Sequence, residues 1–168
     1  MKKMIPMGDR REILKILRRA QGILLDPSVW VQFDGMAKDK EGYPTKPEGP
    51  NVAKYTLLGA IYSEAEKTQH ACGAFQFIAA SISPESGYSL LDISRPKDIA
   101  RWSNAVNTSH ADLMTTLQRA TEHCVAYDTL ATYCEKEISK LQRIVEDSKE
   151  ELENSLPYVP TFKKWGYR

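Results

Sequence analysis

The side chains best suited to chemistry in this sequence are a few histidines and cysteines. His70 stands two residues before Cys72, and His123 directly precedes Cys124. Either pair suggests a zinc site or a Cys–His nucleophile. Neither has the spacing those chemistries use. Zinc sites draw on close ligand pairs at defined intervals, and H-x-C alone does not match them. Neighbouring residues on a helix point about 100° apart, so His123 and Cys124 are poorly placed to share a task. Ordinary buried cysteines and surface histidines are the simpler reading. Asp34, Asp39 and Glu41 before Gly42 resemble part of a calcium loop. The full calcium pattern is absent, so a solvated turn is expected there. There is no P-loop, no dinucleotide-binding glycine motif, no nucleophile elbow and no H-E-x-x-H. No catalytic, cofactor or metal-binding residue is assigned. An enzyme is the third-ranked reading, and it requires Trp102, Asn104, Trp30 and Asp39 to converge on one pocket. The structural reading of Trp102-Ser103-Asn104 is that Trp102 fills core, while Asn104 or Asn107 accepts backbone N–H bonds at a helix entry.

The segment 157–168 offers a different chemistry, that of binding. Tyr158, Phe162, Trp165 and Tyr167 alternate with Lys163, Lys164 and Arg168, with no acid among them. Aromatics interleaved with cations stack on bases and contact phosphates. They also anchor protein partners, because Trp, Tyr and Arg dominate interface hot spots. The bland reading, ranked ahead of both, is that the segment folds back and covers apolar surface of its own domain. Arg10, Arg11, Lys15, Arg18 and Arg19 near the N-terminus read as a solvated face that also extends a basic patch.

Elements must position these groups. Ile13, Ile16, Leu17, Ala20, Ile23 and Leu24 recur at helical spacing, which predicts a helix from about Asp9 to Leu25. Asp9 is its expected N-cap, with Glu12 as the capping-box partner, and Asp26-Pro27 ends it. Trp30-Val31-Gln32-Phe33 and the turn signals Asp34-Gly35 and Glu41-Gly42 predict a short hairpin or ordered loop over 29–45. Pro44, Pro47, Gly49 and Pro50 continue as loop. A second helix is expected from Asn51, its cap, to about Lys67, with Tyr55, Leu58, Gly59, Tyr62 and Ala65 on one face. A third, apolar nearly all round and so central, runs from Cys72 to Ile82. Ser83-Pro84-Glu85-Ser86-Gly87 closes it. The stretch 89–107 is irregular, with apolar mass from Leu90, Leu91 and Ile93. Within it Pro96 starts a short helix carrying Ile99, Ala100 and Trp102.

The last helix has the strongest signal. Ser109 with Asp112 forms a capping box at its start. No proline or glycine interrupts Ala111 to Leu156. Alternating steps of four and three pick out Leu113, Leu117, Ala120, Cys124, Tyr127, Ala131, Cys134, Ile138, Leu141, Val145, Ser148 and Leu152, a heptad seam. From about Glu135 the flanks turn highly charged. A helix of ~45 residues is ~65–70 Å long, more than a compact domain of this size can bury. Its end must project, fold back or pair with a partner. The expected organisation is a helical core over 1–128, a possible coiled-coil extension over 129–156 and an aromatic-basic tail over 157–168. The fold class is mainly α, with a short β-hairpin or loop insertion and a long C-terminal helix.

Composition bounds the function. The chain has 168 residues and a net charge of +1, so no global field draws nucleic acid or an anionic membrane. Cys72, Cys124 and Cys134 are odd in number and form no C-x-x-C, which predicts reduced thiols. Cys124 and Cys134, ten residues apart on one helix, are ~15 Å apart and beyond a disulfide. Met1-Lys2-Lys3-Met4-Ile5-Pro6 leads into no signal-peptide apolar run, and no stretch approaches the ~20 apolar residues of a membrane span. A cytoplasmic protein that does not enter membranes is expected.

Three blocks carry a family resemblance. The first is an aromatic followed by Gly35-Met36-Ala37, then Asp39 and Gly42. The second is Leu58-Gly59-Ala60 closing a helix. The third is Trp102-Ser103-Asn104 before a capped helix through Leu113, Leu117 and Ala120. Together with Trp30, they resemble an uncharacterised family of bacteria and their phages, domain-of-unknown-function family 6197, over about residues 10–125. The family tends to read Trp-Asn-Asp in the third block, where this chain has Ser103 and Asn104. It often has a Trp-Cys pair before its Gly-Ala, where Tyr55-Thr56 stands here. The resemblance implies a phage or bacterial cytoplasmic protein and brings no activity. Trp30, Gly42, Gly59, Trp102 and Asn104 are its structural residues. The leading expectation is a non-enzymatic interaction or scaffold protein. It forms a homo-oligomer or binds a protein partner through Ile138, Leu141, Val145, Leu152, Phe162, Lys163, Lys164, Trp165, Tyr167 and Arg168. A nucleic-acid-binding accessory protein, using the tail and the basic N-terminal helix, is second.

Overall fold

The computed structural model describes residues 7–82 and 96–155. Five helices and three short strands follow the order α1 (Met7–Ile23), β1 (Ala37–Asp39), β2 (Pro44–Thr45), β3 (Val52–Tyr55), α2 (Leu57–Glu64), α3 (Thr68–Ser81), α4 (Pro96–Ser103) and α5 (His110–Ser155). The chain divides into two compact units, Met1–Leu130 and Ala131–Arg168, with α5 contributing to both. The mainly helical fold, the small strand insertion and the long last helix are as the spacing predicts.

The first unit holds the core. α1 contributes Ile13, Ile16, Leu17 and Ala20, and Leu24 follows just after it, all buried. α2 adds Leu57, Ala60 and Ile61, and α3 adds Ala71, Ala74, Phe75 and Ile78. Ile99 and Trp102 of α4 and Leu113, Leu117, Ala120 and Cys124 of α5 complete it. α3 lies so close to α1 that a Cβ on Gly73 would stand 2.3 Å from Ile13 Cδ1. α3 is buried on one face rather than all round, since Cys72, Gln76 and Ala80 are exposed.

Two helix starts differ from expectation. Asp9 lies inside the first turn of α1 and does not cap it. Its carboxylate instead faces His70 Nε2 at 2.9 Å, and Glu12 pairs with Lys15 at 3.4 Å. The predicted helix from Asn51 is also corrected, because Val52–Tyr55 is a strand. Tyr55 exchanges backbone bonds with the loop after α1, donating to the Val29 carbonyl at 2.8 Å and accepting from Val31 N at 3.0 Å. These long-range pairings satisfy backbone groups and outweigh the weak helical periodicity. Thr56, not Asn51, caps α2, its hydroxyl oxygen accepting from Gly59 N at 3.1 Å.

The sheet has the order β2-β1-β3, antiparallel throughout. Its hairpin turns at residues 40–43, where Gly42 takes φ +88° and Asp39 Oδ1 accepts from Tyr43 N at 2.8 Å. Asp39 is thus a turn residue. α2 seats against the approach to β1. Met36 carbonyl accepts from Thr56 N at 2.9 Å, and a Cβ on Gly59 would stand 1.8 Å from that oxygen. Gly59 is required by this approach of backbone to backbone.

α4 starts at Pro96, as expected. α5 starts with Ser109 as cap: Ser109 Oγ accepts from Asp112 N at 3.1 Å, and Asp112 Oδ2 accepts from Ser109 N at 2.8 Å. This is the predicted reciprocal box. The expected stop at Ser83–Gly87, the apolar mass of Leu90, Leu91 and Ile93, and the tail from Pro157 lie outside the described residues.

Candidate functional site

Each histidine is held by a structural bond. His70 is buried and faces Asp9, while Cys72 is exposed, so the H-x-C pair is not brought together. His110 Nε2 donates to the Leu24 carbonyl at 2.7 Å. His123 Nδ1 lies 2.9 Å from Ser81 Oγ, a geometry that resembles a nucleophile with its base. Ser81 Oγ, however, donates to the Phe77 carbonyl at 2.7 Å. With that hydrogen committed, His123 Nδ1–H donates to Oγ, the reverse of what activation needs. Cys124 is buried, and burial together with the Asp128 carboxylate pushes its thiol up to about 11. It is a protonated core thiol at neutral pH. Among the described residues no group of three or more His, Cys, Asp or Glu is placed to hold a metal ion.

The four residues that an enzyme would require do not converge. Trp102 is core, and Asp39 stays in the hairpin turn. Trp30 and Asn104 do share a junction between 30–33 and 103–110. Trp30 packs on His110 with ring centroids 5.7 Å apart. Asn104 Nδ2 donates to the Phe33 carbonyl at 2.7 Å. Asn104 is therefore a donor to a distant loop, not an acceptor at a helix entry. Gln32 Nε2, a residue sequence reading missed, lies within 2.9–3.1 Å of the carbonyls of Ser103, Ala105 and Thr108. Its signal was faint, a lone polar residue in an apolar run. The junction reads as a clasp that holds two loops together.

The basic face of α1 is also less open than expected. Arg10 is wholly buried, with Nε 2.9 Å from Asp128 Oδ1, a contact of charge rather than an aligned hydrogen bond. Arg19 pairs with Glu64 at 3.2 Å and Lys15 with Glu12 at 3.4 Å. Arg11 and Arg18 are exposed.

The clearest unsatisfied surface lies on α5. Leu113, Leu117, Ala120 and Cys124 are fully buried. The same four–three spacing then continues through Ile138, Leu141, Val145 and Leu152, which are 50%, 59%, 65% and 60% exposed. Ile144, just off the seam, is 55% exposed and Tyr133 is 63% exposed. Apolar side chains repeated on one helix face and left in water are an interaction surface by default. Polar residues flank them: Glu137 and Lys140 pair at 3.5 Å. Ser148 Oγ donates back to the Ile144 carbonyl at 2.8 Å, which satisfies its hydrogen inside the helix. The expected partner-binding residues Phe162, Lys163, Lys164, Trp165, Tyr167 and Arg168 lie outside the described residues. No described helix is long and apolar enough to cross a membrane.

A family model matches residues 9–123, more than half of the chain. No curated protein and no solved structure matches it. The match covers the junction of Trp30 and Asn104 and the close approach at Gly59, and it ends before the exposed stripe. By that match the chain belongs to the family of unknown function DUF6197.

Proposed function

We propose that this protein is a non-enzymatic interaction protein that self-associates through the second half of α5. The observation that supports the reading is the exposed stripe of Ile138, Leu141, Val145 and Leu152 on a helix whose earlier seam residues are buried. Water contact along such a face is unfavourable by roughly 25 cal/mol per Å² of apolar area, and a facing helix removes it. The bacterial or phage cytoplasm is the setting we assign to it. Two further features agree with binding rather than catalysis. The histidines and Cys124 serve packing and loop bonds, and the tail is rich in the residue types of interface hot spots.

Nucleic-acid binding is the competing reading, and it has less support. Arg10 is buried, while Arg19 and Lys15 are paired, so α1 adds little to the cations of the tail. Affinity for DNA or RNA that falls steeply with salt would favour it.

Native mass spectrometry of the full chain at low and high salt tests the proposal, with Leu141→Asp/Val145→Asp as the comparison. We expect an oligomer that persists in high salt and is lost in the double variant. A monomer at every concentration, unchanged by the substitutions, overturns self-association.

A further inference from the structure

We draw no further inference here: the strongest candidate, the exposed apolar stripe of Ile138, Leu141, Val145 and Leu152 on the second half of α5, carries nothing beyond the reading already proposed, because nothing in the structure shows what covers it.

Discussion

Single polar side chains in this fold join segments that lie far apart in the chain. Asn104 is the clearest case, because its amide reaches back to the Phe33 carbonyl across 71 residues of sequence. Asn104→Ala leaves that half-buried carbonyl without its donor, at a cost of about 1–3 kcal/mol. Urea unfolding should show a lower midpoint with an unchanged slope; an unchanged midpoint would mean that Gln32 alone holds the junction. Cys124 makes the opposite point about reactivity. Its thiol is pushed up to about 11, mainly by burial and then by the Asp128 carboxylate. At neutral pH it should resist a thiol reagent until the chain unfolds, while exposed Cys72 is labelled first. Mass spectrometry of labelled peptides separates the two, and equal labelling in the native protein contradicts the assignment.

At the scale of elements, α5 is fixed at its start by a capping box that sequence spacing makes plain. Ser109→Ala should cost about 1 kcal/mol of stability. The box is also pH-sensitive. The hydroxyl and backbone N–H of Ser109 hold the Asp112 carboxyl below the usual carboxylate range. A lowered folded-state pKa means the stabilisation is present above the ordinary aspartate value and is lost as pH falls through the lowered one. The gap in stability between the wild type and Ser109→Ala should therefore narrow from neutral to acid pH, leaving the part due to Ser109 Oγ accepting from Asp112 N. A constant gap between the two curves would assign the effect to the Ser109 hydroxyl alone. Gly59 sets a second constraint. Gly59→Ala drives a methyl into the Met36 carbonyl, a backbone atom that cannot rotate away, and should destabilise by about 1–3 kcal/mol. What was legible here followed local rules. The hairpin turn at Gly42, the start of α4 at Pro96 and the Ser109 cap all use residues adjacent in sequence. β3 was hidden because Tyr55, Leu58 and Tyr62 fit a helical face. Its strand character comes from partners at Val29, Val31 and β1, far along the chain. Asp9 misled for a related reason, since an acid near a helix start serves a cap or a distant histidine equally well.

For the whole molecule, one sequence pattern does two jobs, and periodicity alone does not tell them apart. Leu113 and Leu141 occupy the same d position of the α5 heptad, yet Leu113 is fully buried and Leu141 is 59% exposed. The charged flanks from Glu135 onward were the readable hint that burial stops, but they leave open whether solvent, the tail or a partner lies beyond. Substituting the two leucines separates the roles. Leu113→Ala empties a packed core site and should cost about 2–5 kcal/mol of folding stability. Leu141→Ala touches no core and should shift folding stability by less than ~0.5 kcal/mol when measured on dilute protein. If the second half of α5 self-associates, the order reverses in sedimentation at high concentration. Leu141→Ala then weakens the oligomer, while a folded Leu113→Ala population associates as the wild type does. A Leu141→Ala variant that loses stability as severely as Leu113→Ala would place Leu141 in a packed core. A variant that changes neither stability nor association would leave the exposed stripe with no role in assembly.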